Sequence, residues 1–254
     1  QIIQSLPQAI QTMLDPADTG PACLSLCQDV QGETFDYPEE FFKERIHNIR
    51  RPKPDDFQIK QAMEKIKKSK KPIIISGGGV FYSDAMDELG SFAIKHNIPV
   101  TQTVMGYSTM KRDHSHFLGP IGGLGGRAAN NLAKETDLAI CVGTKLADFT
   151  TGSWANFENP EFKLVSINIA RHDANKHLAE AVIGDAKVCL SELSNSLGNW
   201  KSPDSWHKKS QDELKSWNEY VDKESGPTNQ ETPNYAHAVG AIYRNSDPTD
   251  IAVT

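Results

Sequence analysis

The chain has 254 residues and a formal net charge of −6, with an isoelectric point near 5.8. This charge balance leaves no electropositive surface that would favour nucleic acid or an anionic membrane as a partner. No apolar run approaches a length of about 18 residues and no basic start precedes an apolar core, so neither a membrane span nor a signal peptide is predicted. We therefore expect a cytoplasmic protein with a small-molecule partner. Its four cysteines form no C-x-x-C pair, so we expect them to be reduced.

The first third of the chain begins with a predicted helix and a predicted strand, followed by a linker. Residues 2–14 have helical apolar spacing, and the short apolar run at 22–26 follows Asp15-Pro16 and is predicted to be a strand. Residues 31–56 contain three prolines and the basic stretch 50–53, but few periodic apolar residues. We therefore interpret 31–56 as a solvated surface linker.

From residue 57 onwards, aliphatic strands alternate with amphipathic helices. Strands are predicted at 73–75, 99–101, 138–142 and 164–169, and helices at 59–66, 83–95, 127–134 and after Asp185. Unbroken aliphatic strands between helices are typical of a parallel sheet that is covered on both faces. Residues 57–200 are therefore predicted to form an α/β domain, a three-layer doubly wound parallel sheet like those that bind nucleotides.

The sequence becomes polar after this domain. A charged helical stretch is predicted at 204–222, within a linker at 201–232, and a helix at 235–244 precedes a strand at 251–253. The terminal elements find no partners of their own in the chain. We therefore expect the chain to be the central region of a larger enzyme and to be inactive alone.

The first candidate site is a glycine turn. Gly77, Gly78 and Gly79 follow a predicted buried strand and precede a predicted helix. Parallel sheets bind ligands at the carboxyl ends of their strands, where missing Cβ atoms let a phosphate approach the backbone. The turn is neither a Walker loop nor a G-x-G-x-x-G motif, and a tight strand-to-helix turn explains three glycines almost as well. Both interpretations remain open.

Two further loops leave the same predicted edge. Gly122, Gly123 and Gly125 precede the helix at 127–134 and would direct helix-terminal amides towards the crevice. The loop after strand 138–142 contributes Gly143, Lys145 and Asp148, and Asn168 lies near the end of the strand after it. Together with the first turn, these positions form a weak candidate nucleotide crevice, which a bound nucleotide would span.

No catalytic or metal-binding residue is predicted. His114 and His116 lie in a loop without a carboxylate or thiol at ligand spacing, so they are interpreted as exposed loop histidines. Ser83, Asp84 and Asp185 each stand immediately before an apolar-periodic stretch and are interpreted as helix N-caps. No nucleophile and base occur at a spacing that would pair them.

The order of these motifs resembles the thiamine-diphosphate enzymes of the acetohydroxyacid synthase group along nearly the whole chain. Residues 20–31 resemble the end of the family's pyrimidine-binding domain, and residues 71–79 resemble the opening strand and glycine turn of its central domain. Residues 235–254 resemble the start of its diphosphate-binding domain. The resemblance divides the chain into the end of the pyrimidine-binding domain (1–30), a linker (31–56), the central domain (57–200), a helical linker (201–232) and the start of the diphosphate-binding domain (233–254).

Within that group, two blocks are most similar to the hydrolases that open a cyclic trihydroxy-dione in inositol catabolism. These blocks are 28–38, with Gln28-Asp29-Val30-Gln31 and Phe35-Asp36-Tyr37-Pro38, and 148–153, with Asp148-Phe149-Thr150-Thr151-Gly152-Ser153. The resemblance implies thiamine diphosphate and Mg2+ in the intact enzyme, carbon-carbon cleavage with water as acceptor, and a homo-oligomer. The alternatives are a fragment of a carboligase or decarboxylase such as acetolactate synthase, and a stand-alone nucleotide-binding module.

The chain departs from the family's patterns in two respects. Neither the cofactor-activating glutamate of the first domain nor the Gly-Asp-Gly to Asn metal motif of the third occurs in these residues. Flavin- or ADP-binding relatives also have acidic residues where Asn168 and Ala170 stand here, and an arginine at the position of Phe149. Each missing charged hydrogen bond is worth roughly 1.5–3 kcal/mol. We therefore expect neither FAD nor ADP to bind, and the crevice to be vestigial.

Overall fold

The computed structural model describes residues 1–247 and 249–251. A six-stranded, all-parallel sheet has the strand order β3-β2-β1-β4-β5-β6. The strands are β1 (Pro72–Ser76), β2 (Val100–Gln102), β3 (Phe117–Pro120), β4 (Leu138–Val142), β5 (Lys163–Asn168) and β6 (Glu180–Ile183). β1 lies at the centre, with Ile74 opposite Val100 on one side and Ile140 on the other. The predicted doubly wound parallel α/β fold is confirmed.

Within residues 1–247 and 249–251, ten α-helices accompany the strands. They are α1 (Ile2–Leu14), α2 (Asp56–Lys68), α3 (Gly78–Tyr82), α4 (Met86–His96), α5 (Arg127–Glu135), α6 (Asp148–Thr151), α7 (Arg171–Ala174), α8 (Ala186–Leu197), α9 (Asp204–Glu224) and α10 (Tyr235–Asn245). In the described part of the chain, none is both long and apolar enough to cross a membrane.

Alternate side chains of the central strand face two separate cores. Ile74 belongs to a cluster that α2, α4 and α8 cover, whereas Ile73 and Ile75 belong to a second cluster with Leu132 of α5 and Trp206 of α9. All five residues of β1 are buried. Burial on both faces explains why the parallel strands read as continuous aliphatic runs.

The strands at 73–75, 99–101, 138–142 and 164–169 are found within one or two residues of their predicted limits. Two strands were missed, β3 and β6. β3 ends in Gly119-Pro120, and β6 begins with the half-buried Glu180, so neither has the aliphatic run on which the prediction depended. Both lie at the edges of the sheet.

The predicted helix at 83–95 begins three residues later in the structure, as α4. The separate helix α3 ends at Tyr82, and Asp84, between the two helices, adopts a left-handed φ of 51°. The predicted N-cap roles of Ser83 and Asp84 are therefore wrong. Ser83 Oγ instead accepts a hydrogen bond from the backbone N–H of Ala186, in α8. Asp185 is confirmed as the N-cap of α8, since its carboxylate accepts hydrogen bonds from two backbone N–H groups.

The segments before the sheet are largely exposed. The strand predicted at 22–26 is wrong, because these residues pair with no strand in the described chain, and a strand without a partner leaves its backbone groups unsatisfied. The basic stretch is not wholly solvated either: Arg51 Nη1 lies 3.1 Å from Asp185 Oδ2. The strand predicted at 251–253 lies mostly outside the described residues.

The helix after the sheet packs against it. α9 contacts α5, and its residue Trp206 is buried and donates a hydrogen bond from Nε1 to the carbonyl oxygen of Pro72 at 2.8 Å. The predicted charged helix at 204–222 is therefore present, and its first half forms part of the second core.

Candidate functional site

The candidate crevice lies at the carboxyl edge of the sheet, where the strand order reverses between β1 and β4. In doubly wound sheets this switch point is where ligands bind, because the loops on either side diverge there. The loops at 77–79, 121–126 and 143–148 all leave this edge, and Asn168 ends β5 beside them. The structure thus brings the predicted site residues to one edge, as expected.

The glycine turn after β1 is packed directly against the loop after β4. Gly77 N donates to Val142 O at 2.8 Å, and Gly79 N donates to Gly143 O at 2.9 Å. A Cβ on Gly77 would lie 2.4 Å from the carbonyl oxygen of Gly143, and a Cβ on Gly79 would lie 2.6 Å from the Gly143 Cα. The missing Cβ atoms therefore make room for protein backbone.

The middle glycine of this turn serves a similar contact. A Cβ on Gly78 would lie 2.9 Å from the carbonyl oxygen of Met105, in the loop after β2. The structure therefore supports the tight-turn interpretation of the three glycines, since a Cβ added to any of them would lie too close to a neighbouring loop.

The second glycine cluster also closes on the loop after β4. Gly122 has a φ of 102°, and a Cβ there would lie 2.1 Å from the carbonyl oxygen of Phe149. Asn130 fixes the same residue, since Gly122 N donates to Asn130 Oδ1 at 2.9 Å. Gly125 N donates to Gly122 O, and Gly123 N donates to Phe149 O. Gly123 alone in this turn has room for a side chain, with its nearest neighbours at 3.8 Å.

The start of α5 is covered by a side chain that sequence reasoning missed. A Cβ on Gly126, the N-cap, would lie 3.0 Å from Trp217 Nε1 of α9. The guanidinium carbon of Arg127 lies 4.6 Å from the ring centre of Tyr220 and 5.6 Å from that of Trp217. The available signal was the i, i+3 spacing of Trp217 and Tyr220, which places both rings on one face of α9.

The polar residues of the candidate site make internal or solvent contacts. Asn168 Nδ2 donates to Thr144 O at 3.2 Å, and its Oδ1 accepts from Ala170 N at 3.0 Å. Asp148 begins α6, is exposed, and accepts a hydrogen bond from Ser153 Oγ at 3.1 Å. Lys145 is exposed as well. Hence the amide of Asn168 is already used to hold two loops together.

A further contact at this edge joins the linker to the sheet. Arg51 Nη1 donates to Asp185 Oδ2 and also to the carbonyl oxygen of Ser83, while Asp185 N donates to Pro52 O at 2.9 Å. Asp185 is almost fully buried, so its charge requires this partner. Residues 51–54 therefore form a strap that joins the end of α3 to the start of α8, which follows β6.

The cysteines and histidines form no metal site in the part of the chain that the structure describes. There, no three side chains of His, Cys, Asp or Glu converge on one point. His116 is buried and His114 is half-buried, which corrects the interpretation of both as exposed loop histidines. Cys23 and Cys27 are exposed, whereas Cys141 and Cys189 are buried, and burial raises the pKa of the Cys189 thiol to about 12.

Comparison with known proteins identifies the family of this domain. The sequence model described as "Thiamine pyrophosphate enzyme, central domain" matches residues 59–193. This match covers more than half of the chain and contains β1 to β6 together with the loops of the candidate crevice.

Several curated proteins are similar over a longer stretch, and all three named here are called 3D-(3,5/4)-trihydroxycyclohexane-1,2-dione hydrolase. The protein of Clostridium perfringens (strain 13 / Type A) is 46% identical over 197 residues, which is 78% of this chain and 31% of that protein. That of Clostridium botulinum (strain Eklund 17B / Type B) is 42% identical over 88% of this chain and 35% of its own length. That of Bacillus thuringiensis (strain Al Hakam) is 44% identical over 78% and 31%. The chain thus spans about a third of the length of these relatives.

Proposed function

The chain belongs to the thiamine pyrophosphate enzyme family through its central domain, and we propose that it is the central region of a hydrolase that opens an inositol-derived cyclic dione. The identity of 42–46% to relatives named for the hydrolysis of a trihydroxycyclohexane-dione carries this proposal. In the intact enzyme, a carbon-carbon bond of the ring is cleaved and water is the final acceptor. Residues 28–38 and 148–153 are the blocks that favour this reaction over carboligation.

In this proposal the central domain is a scaffold. Residues 1–30 complete a pyrimidine-binding domain, residues 233–254 begin a diphosphate-binding domain, and 57–200 lie between them with the linkers 31–56 and 201–232. The strap at 51–54 connects the first linker to Asp185, at the start of α8, and helix α9 connects the second linker to Pro72 of β1. The intact enzyme is proposed to be a cytoplasmic homo-oligomer.

Thiamine diphosphate, held with Mg2+, supplies a nucleophilic carbon for such reactions when it is bound. We assign none of that chemistry to residues of this chain. The 254 residues contain neither the glutamate motif nor the Gly-Asp-Gly motif of the family, and the glycine turns at the carboxyl edge face protein backbone. We therefore propose that this chain alone turns over no dione.

The decisive experiment compares this chain with the full-length polypeptide. Each is incubated with thiamine diphosphate, Mg2+ and the cyclic dione, and ring opening is followed by mass spectrometry. We expect turnover by the full-length protein, none when Mg2+ is omitted, and none by the 254-residue chain. Turnover by this chain would contradict the proposed scaffold role, and full-length carboligation of pyruvate without ring opening would contradict the proposed substrate.

We also propose that Gly77, Gly78, Gly79, Gly122 and Gly143 serve loop packing and not nucleotide binding in this protein. The support is the set of short distances between their missing Cβ positions and neighbouring backbone atoms. Gly123, Lys145 and Asp148 remain open to solvent at this edge, so they are the positions at which a weak ligand would have to be held.

A further inference from the structure

The amino edge of the sheet, opposite the candidate crevice, holds a group of histidine rings. They are His96, at the end of α4; His114 and His116, before β3; and His207, in the first turn of α9. The rings of His116 and His207 are stacked, with their centres 4.1 Å apart and their planes inclined by 17°. This stack joins α9 to the segment that enters the sheet.

The hydrogen bonds around His116 suit a neutral ring. Nε2 lies 3.3 Å from Asn97 Oδ1 and donates to it, because the Asn97 amide nitrogen is directed at two acceptors of its own. Nδ1 lies 2.9 Å from Ser115 Oγ. His116 is only 8% exposed, so a proton added to Nδ1 would place a charge in a nearly dry environment.

Asn97 also fixes the start of α9. Its Nδ2 donates to Asp204 Oδ1 at 3.1 Å and to Ser202 O at 3.3 Å, while the Ser202 hydroxyl donates to Asn97 O. Ser202 N donates to His96 O at 2.9 Å. Besides Trp206, the first turn of α9 is therefore held by one connected network of polar side chains, to which the His116–His207 stack belongs.

The charged and titratable groups that act on the two stacked rings are His114, of the loop before β3, and Asp204, at the start of α9. Asp113 acts on His114, whereas Lys95 and Lys201 act on His96, whose ring packs against Phe92 and Trp200. Asp204 is bonded to the Asn97 amide. Burial, together with the neighbouring rings of His207 and His114, lowers the pKa of His116 to about 4.

We propose that the His116–His207 stack is an acid-sensitive latch, which holds α9 on the domain at neutral pH and loosens before the sheet unfolds. A histidine that returns to its ordinary pKa of 6.5 on release takes up a proton more readily in the released state. Docking of α9 is therefore fully favoured above pH 6.5 and weakens as the pH falls towards 4. Because Trp217 of α9 covers Gly126, loosening also uncovers the start of α5 at the opposite edge.

Hydrogen exchange followed by mass spectrometry tests this proposal on the whole chain. Exchange is measured at pH 7.5 and 5.5, with times scaled for the intrinsic rate, in peptides from α9 and from β1 and β4. We expect protection in α9 to fall about tenfold at pH 5.5 and to stay below the protection of the strands at both pH values. An unchanged α9, or an α9 that is as well protected as the strands, would overturn the latch.

A variant that keeps the ring stack but cannot titrate provides the second arm. His116→Phe combined with His207→Phe is expected to show no difference in α9 protection between the two pH values. The control is His172→Phe, at an exposed position on α7, which should behave as the unmodified chain does. The same acid loss in the double variant would refute the assignment, and the unmodified chain decides the question by itself if that variant does not fold.

Discussion

The two edges of this sheet are closed by different kinds of contact. At the carboxyl edge, glycines let three loops meet backbone to backbone, as where Gly79 N donates to Gly143 O. At the amino edge, buried polar side chains such as Asn97 and His116 hold α9 in place. Backbone contacts have no titratable group but tolerate no added atom, whereas side-chain contacts tolerate small changes of shape but depend on protonation. The two edges should therefore fail under different perturbations.

The largest effect is expected from Gly122→Ala at the carboxyl edge. Its Cβ would lie 2.1 Å from the Phe149 carbonyl oxygen, and alanine would have to adopt a φ of 102°. Overpacking and a left-handed backbone together should lower the free energy of unfolding by about 3 kcal/mol. Urea denaturation followed by circular dichroism measures this change.

The neighbouring Gly123→Ala is the matched control. Its added Cβ would find its nearest atoms 3.8 Å away, in Phe149, so the free energy of unfolding should change by less than about 0.5 kcal/mol. Equal losses in the two variants would show that the glycines act through general flexibility and not through the close contact described here.

A smaller loss is expected where a side chain takes part at the carboxyl edge. Asp185→Ala removes the N-cap of α8 and also leaves Arg51 without its buried partner. The free energy of unfolding should fall by about 2 kcal/mol in a urea titration. Asp55→Ala, which removes the exposed N-cap of α2 alone, should cost about 1 kcal/mol. A loss no larger than that of Asp55→Ala would mean that the strap at 51–54 contributes nothing.

The amino edge should respond to acid. Burial lowers the pKa of His96, His114, His116 and His207, so the unfolded chain binds more protons than the folded chain below pH 6.5. The contribution of these histidines to the free energy of unfolding is fully present above that pH. It is lost as the pH falls towards about 4, the pKa of His116. We expect the free energy of unfolding to fall by about 1 kcal/mol from pH 7.5 to 5.5. Urea titrations at the two pH values measure it, and no decrease would contradict the burial of these rings in the folded state.

The central fold could be predicted from the sequence because its strands are buried on both faces and therefore read as uninterrupted aliphatic runs, such as Leu138–Val142. The edge strands were missed, since β6 begins with Glu180 and β3 ends in Gly119-Pro120. Helix α3 was also missed, because it has only five residues and begins with two glycines, which are poor helix formers.

Topology alone predicts that the loops of the candidate crevice share one edge of the sheet, because glycines that follow parallel strands must lie at the carboxyl ends. What the glycines face could not be predicted. Gly77 and Gly143 are 66 residues apart in the numbering, and their contact depends on the tertiary packing of two loops. The histidine group at the amino edge was missed for the same reason, since His116 and His207 are far apart in sequence.

The smallest effect is expected when a nucleotide is added to the chain, because the carboxyl edge should bind it weakly. We predict that the purified chain carries no flavin and binds adenosine diphosphate no tighter than about millimolar, which corresponds to about 4 kcal/mol.

Two causes of this weak binding are distinguishable. If only charge is missing, Asn168→Asp combined with Phe149→Arg should restore binding, because both substitutions return groups that nucleotide-binding relatives possess. If the closed glycine turns exclude the phosphates, as the 2.4 Å distance between a Gly77 Cβ and Gly143 O indicates, the double variant should bind no better. Isothermal titration calorimetry of both proteins decides between these causes, and micromolar binding by the unmodified chain would contradict the prediction outright.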